Sequence, residues 1–175
     1  MTPEWSRPER VDTIGERPRA VAIEAEDGER AALARRFDLL AIERLAAEFS
    51  LRREAGAIVA DGRVTAAVTQ ACSATGAPVP ATVAEQVALR FVDELAAGED
   101  ELELSPDALD TLPIENGAID LGEAAAETLA LALDPFPRAP DAEAALAQAG
   151  VLREGEVGNA AFGALSDLQR KLSGG

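Results

Sequence analysis

Apolar and polar residues alternate along several stretches of the chain, which is the pattern of half-buried β-strands. The alternation is clear in 19–25, where Val21 and Ile23 take every second position. It returns in 80–94, where β-favouring residues such as Val87 and Leu89 recur with the same period. Three or more consecutive antiparallel strands are therefore expected to form the centre of the fold.

The stretch 42–54 fits two patterns. Its apolar residues alternate as in a strand at Leu45, Ala47, Phe49 and Leu51, and they also fit a helical face at Ile42, Leu45, Ala46 and Phe49. We favour the strand, because Glu48, Ser50 and Arg52 then share the solvent-exposed face.

Two turn signals divide the strand-forming region. Asp61-Gly62 stands between two β-favouring runs in 57–71 and predicts a hairpin turn, because Asp-Gly adopts the positive φ angles of tight hairpins. Gly76, Ala77 and Pro78 predict a second turn. The strand in 80–94 follows from that turn.

The first predicted helix lies in 25–37. Asp27 is the expected N-cap, because its carboxylate can accept hydrogen bonds from the first free backbone N–H groups. The expected apolar face contains Ala31, Ala34 and Phe37, with Leu33 beside it.

A second helix is expected to begin at Leu121. Asn116-Gly117 predicts the turn before it, Asp120 is the expected N-cap, and Pro135 ends the helix because proline lacks the backbone N–H. Ala125, Leu129 and Leu133 form its expected apolar face. A short third helix is expected within 139–150.

These elements predict an α+β protein with one antiparallel β-meander packed by a few helices. The expected domain covers 19–172, with an acidic loop at about 95–113 and an amphipathic C-terminal helix at about 159–172. An extended segment, 1–18, precedes it, for which only Val11 and Ile14 are expected anchors.

Charge is distributed unevenly along the 175 residues, whose formal net charge is −16. Residues 1–53 carry ten Arg and eleven acidic residues, whereas 54–175 carry six basic and twenty-one acidic residues. Binding to a nucleic-acid backbone requires clustered cations, because affinity comes largely from neutralised phosphates. The second half is therefore suited to solubility or to attracting a basic partner.

The inventory of reactive residues is small. The chain has no His and one Cys, so it cannot form a Cys/His zinc site by itself, and it has no glycine-rich phosphate loop. No stretch has the length of an apolar membrane span, and the N-terminus lacks the apolar centre of a signal peptide. We expect a soluble, cytoplasmic protein without a cofactor.

Three passages together resemble the YceD family, a domain of unknown function. They are the strand–turn–strand VTAAVTQACSATGAPVPATVAEQVALRF, the block PIENGAIDLGEAAAETLALALDPFP with its Leu-x-Leu-x-Leu-x-Pro-x-Pro run, and Asn-x-x-Phe-x-x-Leu-x-x-Leu from Asn159 to Leu168. Their order and spacing cover roughly 20–170.

The resemblance also places the single cysteine. Many YceD relatives carry Cys-x-x-Cys at this turn, and some add a second pair after the Pro-x-Pro run. Cys72 matches the first cysteine, Thr75 stands at the second, and no cysteine follows Pro137. Any metal-dependent role is thus in doubt, and Cys72 is expected to be a buried, inert residue because no cation lies in 70–80 to lower its pKa.

What the resemblance implies is a role in the accumulation of large (23S) ribosomal RNA, without agreed catalytic residues. We expect a non-catalytic ribosome-biogenesis factor that binds a basic large-subunit ribosomal protein, or 23S RNA or its precursor, or both. The candidate acidic contacts are Glu99, Asp100, Glu101 and Glu103. The candidate RNA contacts are Arg35, Arg36, Arg52 and Arg53, unless acidic neighbours such as Glu29, Glu48 and Glu54 pair with them.

Two alternatives remain open at the level of sequence. One is a carboxylate-based, metal-dependent hydrolase acting on RNA, for which the nearest Mg²⁺ ligands are Asp107, Asp110, Glu115 and Asp120. The other is a structural interaction domain unrelated to ribosomes. The pattern does not indicate the oligomeric state.

Overall fold

The computed structural model describes residues 3–93 and 110–151. Within them lie seven strands, three α-helices and a 3-10 turn at Val11–Thr13. In chain order the strands and helices are β1 (Pro8–Arg10), β2 (Arg19–Glu24), α1 (Asp27–Arg36), β3 (Ala41–Glu54), β4 (Ala57–Ala71), β5 (Pro78–Val92), β6 (Asp110–Pro113), β7 (Ala118–Asp120), α2 (Leu121–Ala132) and α3 (Ala142–Gln148).

Five strands form one sheet in the order β2-β3-β4-β5-β6. The first four are antiparallel neighbours, and β6 runs parallel to β5 over Leu89–Val92. Strands β1 and β7 form a separate antiparallel pair. The predicted α+β fold with an antiparallel meander is confirmed, as are the strand in 42–54 and the turn before β5, where Gly76 has φ +73°.

The core lies between one face of the large sheet and the helices. Alternate residues of β3 and β4, such as Leu45 and Val64, are fully buried in one cluster with Leu33 of α1 and Leu129 of α2. Burial of this apolar surface is the main stabilising contribution to a domain of this size. No helix among the described residues is long and apolar enough to cross a membrane.

The hairpin predicted at Asp61-Gly62 is wrong. Strand β4 continues through both residues, and the β3–β4 turn lies at Ala55 and Gly56, which have φ values of 48° and 79°. Gly62 is required for another reason: a Cβ there would collide with a backbone carbonyl of β3 and lie 2.8 Å from Phe49 Cδ1. The glycine allows close approach inside the strand rather than a turn.

The N-cap of the first helix lies one residue earlier than predicted, and the helix begins at Asp27. Glu26, not Asp27, is the N-cap of α1, and it forms a capping box with Glu29. Ala31 is exposed, whereas Leu33 and Ala34 are the buried residues of the helix. The apolar face is therefore rotated from the predicted one.

The N-terminal segment has an anchor that the sequence prediction omitted. The side chain of Trp5 is fully buried in the main cluster, with its indole N–H unpaired among the described residues. Gly122 permits this contact, because a Cβ there would lie 2.5 Å from the carbonyl oxygen of Trp5. Ile14 is buried as predicted, whereas Val11 is half-buried.

The acidic loop predicted at 95–113 differs from the structure at its end, because Asp110–Pro113 form β6. The rest of that loop and the predicted helix at 159–172 lie outside the described residues. Asp120 caps α2 as predicted, and Ala142–Gln148 form the short helix expected in 139–150.

Candidate functional site

The predicted arginines do not form one patch. Arg36 is the last residue of α1, which is followed after four residues by the start of β3. Arg52 and Arg53 lie near the other end of β3, roughly 35 Å from its start at about 3.3 Å per residue. Arg35 is exposed on α1, and the structure gives it no ion pair with the other described residues.

Arg36 joins three parts of the chain. Its guanidinium lies 2.7 Å from Glu123 Oε1 at the start of α2 and 3.0 Å from Glu4 Oε2 in the N-terminal segment. Hydrogen bonding to Glu123, followed by that to Glu4, raises the pKa of Arg36. Its charge is thus neutralised within the protein.

The two arginines of β3 are also engaged. Arg52 pairs with Asp61 and with Glu54, so the predicted contact with Glu54 is confirmed. Arg53 donates to the backbone carbonyls of Val11 and Ile14 and thereby holds the N-terminal segment against β3.

Arg7, for which the sequence predicted no role, pairs with Glu29, one of the acidic residues expected to pair with the candidate arginines. Its guanidinium contacts both carboxylate oxygens of Glu29, at 2.7 and 2.9 Å. This bidentate pair connects the N-terminal segment to α1.

The candidate acidic contacts Glu99, Asp100, Glu101 and Glu103 lie outside the described residues, as does Asp107. Among the residues that are described, no group of three or more His, Cys, Asp or Glu side chains is placed to hold a metal ion. Asp110, Glu115 and Asp120 therefore do not converge as the ligand set that a hydrolase would need.

Asp120 has a structural role instead. One carboxylate oxygen accepts hydrogen bonds from the N–H groups of Gly122 and Glu123, which start α2, and from the N–H of Arg7 at 2.8 Å. The other oxygen accepts from the Ser6 hydroxyl. The residue therefore connects α2 to the N-terminal segment.

Cys72 lies where the β4–β5 turn meets the loop after α2. It is 3% exposed and packs in a small cluster with Ala139 and Ala142. Its Sγ accepts a hydrogen bond from the Ala139 N–H at 3.3 Å, and Ser73 N–H donates to the Pro137 carbonyl at 2.8 Å. The predicted burial of Cys72 is confirmed.

The pKa of Cys72 is lowered by a cause other than the cation that the sequence analysis considered. The Ala139 N–H, followed by the Thr75 hydroxyl, lowers that pKa to about 7. The cause is hydrogen bonding to the thiolate rather than a nearby cation, and the donor is distant in sequence. The residues around Cys72 do not fit a zinc ion, because Thr75, Ala139 and Ala142 supply no thiolate.

A groove with a volume of about 470 Å³ lies between the N-terminal segment, β6, β7 and α2. We call it the acidic groove. Its apolar lining includes Pro8, Phe91, Leu112, Pro113 and Ile119, and its carboxylates are Glu115, Asp120, Glu123 and Glu127. No Lys or Arg is among the described residues that line it.

The sequence prediction missed this groove, although part of its signal is visible. Twelve acidic residues and no basic residue lie between Asp93 and Glu127, a stretch that also contains Leu112 and Ile119. Pro8 and Asp120, which both line the groove, pair although they lie more than a hundred positions apart in the chain, and this pairing has no local sequence signal.

Comparison with known proteins gives one match. The model of a family described as "Large ribosomal RNA subunit accumulation protein YceD" matches residues 60–169. No curated protein and no solved structure matches the chain significantly. The matched range includes β4 beyond its first three residues, all of β5 and the segment that contains Asp120 and α2.

Proposed function

Because the chain belongs to the YceD family, we propose that it is a non-catalytic ribosome-biogenesis factor that supports the accumulation or maturation of large-subunit (23S) ribosomal RNA. The family match over 60–169 is the observation that carries this proposal. A cytoplasmic location, where ribosomes are assembled, belongs to the same proposal.

The charge distribution favours binding to a basic protein over direct binding to RNA. Residues 54–175 carry fifteen more acidic than basic residues, which repel phosphates and attract cationic surfaces. Direct RNA binding would need free cations, and three of the four candidate arginines, Arg36, Arg52 and Arg53, already bind carboxylates or backbone carbonyls. A basic large-subunit ribosomal protein is therefore the partner class we favour.

The test neutralises the acidic loop. We expect the quadruple variant Glu99→Gln, Asp100→Asn, Glu101→Gln and Glu103→Gln to associate more slowly with purified basic large-subunit proteins. The salt dependence of association should also flatten, because long-range attraction acts on the association rate and is screened over about 8 Å at physiological ionic strength. Cells that depend on this variant should contain less large ribosomal RNA.

A control variant separates position from net charge. Glu16→Gln, Glu48→Gln, Glu85→Gln and Asp141→Asn make the same charge change at exposed positions elsewhere in the described chain. We expect this control to associate nearly as fast as the parent. If the loop variant binds its partners and sustains RNA levels like the parent, recruitment by this loop is wrong, and the arginine-rich first third becomes the better candidate surface.

A further inference from the structure

The acidic groove combines buried apolar residues with exposed carboxylates. Two of its lining residues, Phe91 and Ile119, are 3% and 2% exposed, whereas Glu115 and Glu127 are exposed. A volume of about 470 Å³ is within the usual range of ligand pockets, roughly 300–1,000 Å³. The groove can therefore take an apolar group against its apolar lining and cations beside its exposed carboxylates.

The four carboxylates of the groove are not equivalent. Asp120 accepts four hydrogen bonds from Ser6, Arg7 and the start of α2, and Glu123 pairs with Arg36. Glu115 and Glu127 have no side-chain partner among the described residues. Within the described part of the chain, two carboxylates thus remain available to a ligand, and the lining residues include no Lys or Arg.

We propose that the acidic groove binds a basic segment of a partner protein, with one apolar side chain seated against Phe91 and Ile119 and cationic side chains beside Glu115 and Glu127. The inference rests on the proposed function for its class of partner, a basic ribosomal protein. It deepens that function by assigning a second contact, in addition to the acidic loop, to a groove among the described residues.

Charge and shape complementarity select this occupant. Nucleic acid would bring phosphates close to carboxylates, which is unfavourable. A free polyamine would satisfy Glu115 and Glu127 but would leave the apolar lining of the groove without an apolar partner. Only a ligand that carries both an apolar side chain and several cations uses both parts, and a segment of a basic protein carries both.

The experiment measures the binding of a defined peptide to the full chain. The probe is the fluorescein-labelled peptide KKLKPKVKK, and the matched peptide KKSKPKSKK lacks its apolar side chains. The double variant Glu115→Gln and Glu127→Gln should bind the first peptide about tenfold more weakly at low salt, because each removed carboxylate loses an attractive charge contact. The serine-containing peptide should bind the parent protein more weakly than the first peptide does.

A second double variant, Glu16→Gln and Glu48→Gln, makes the same charge change away from the groove, and its affinity should stay within about twofold of the parent. Equal affinities for the two double variants, or for the two peptides, would overturn the proposal. Spermidine that displaces the peptide at an equal concentration would identify a polyamine site instead. The absence of saturable binding would mean that the groove is closed or filled by the chain itself, which would also overturn the proposal.

The same variants distinguish the groove from the proposed function. If a variant that no longer binds the peptide still sustains a normal level of large ribosomal RNA in cells, the groove is a binding site but the proposed function is contradicted. Reduced large ribosomal RNA on loss of the protein, together with peptide binding that ignores Glu115 and Glu127, would count against the groove alone.

Discussion

Replacing Asp120 with alanine should separate the N-terminal segment from α2. The carboxylate accepts hydrogen bonds from the backbone of Arg7, Gly122 and Glu123 and from the Ser6 hydroxyl. Alanine removes all four acceptor contacts, and the N–H of Arg7 loses its partner in a partly buried place.

The expected loss of stability can be built from its parts. Loss of an N-cap costs about 0.5–2 kcal/mol. Each of the two bonds from the N-terminal segment adds about 1 kcal/mol, and more where the donor stays buried without a partner. The sum is about 3 kcal/mol, a large share of the roughly 5–15 kcal/mol of a typical domain. For a chain of this length, that loss lowers the melting temperature by roughly 6–12 °C.

Two variants and two probes make the test specific. Asp120→Asn keeps the oxygen that accepts from the three N–H groups, and Ser6→Ala removes one hydroxyl, so each should cost only about 1 kcal/mol. Trp5 is the only tryptophan and is buried next to Ser6, so its fluorescence reports release of the segment, while circular dichroism reports the whole fold. An Asp120→Ala protein with the parent's melting temperature and Trp5 emission would refute the reasoning.

Three further predictions concern the core and the cysteine. Gly62→Ala should destabilise the protein in urea because its Cβ would collide with β3. Gly28→Ala, whose Cβ meets open space in α1, should stabilise it by about 0.5–1 kcal/mol, and equal urea midpoints for the two variants would contradict this. Leu129→Asp should abolish cooperative melting in circular dichroism because Leu129 is fully buried, while Leu131→Asp, at 86% exposure, should melt like the parent. Hydrogen bonds hold the pKa of Cys72 near 7 in the folded protein, so the free energy of unfolding of the parent relative to Cys72→Ser should rise between about pH 7 and 9 and be lost as pH falls through 7. A pH-independent difference, or one equivalent of zinc by elemental analysis, would contradict our account of Cys72.

Local patterns predicted most elements of the sheet and their approximate ends. Strand β3 buries alternate residues from Leu45 to Leu51, and β5 buries Val83, Leu89 and Phe91, which all lie on one face, so the period of two is visible in the sequence without knowledge of the neighbouring strands. The prediction of a hairpin at Asp61-Gly62 was wrong because this dipeptide occurs both in tight turns and where two strands approach closely. Only the position of Phe49 on the neighbouring strand distinguishes the two cases.

The candidate site was less predictable because it depends on long-range contacts. Strands β1 and β7 have three residues each, too few for any periodic pattern, yet their register brings Pro8 beside Asp120. The single Trp5 gives no periodic signal either, although it anchors the segment that forms one side of the groove. The ion pairs of Arg36 likewise join residues 32 and 87 positions apart in the chain.

The contact between the β4–β5 turn at Cys72 and the loop after α2, which we call the Cys72 corner, helps to identify the part of the domain that carries the family's role. By the resemblance stated above, many YceD relatives carry a pair of cysteines at this turn and some carry a second pair after the Pro-x-Pro run. The structure brings Cys72 and Ala139 together at these two places. Here the corner is closed by hydrogen bonds from Gln70 and Ser73 to the loop after α2 and by packing of small apolar side chains. Such contacts can hold two loops without a metal, because buried backbone groups find partners and little surface stays exposed. If this chain shares the family's role in ribosomal RNA accumulation, that role does not require a four-cysteine metal site at this corner, and the acidic surface around α2 is the more informative place to test it.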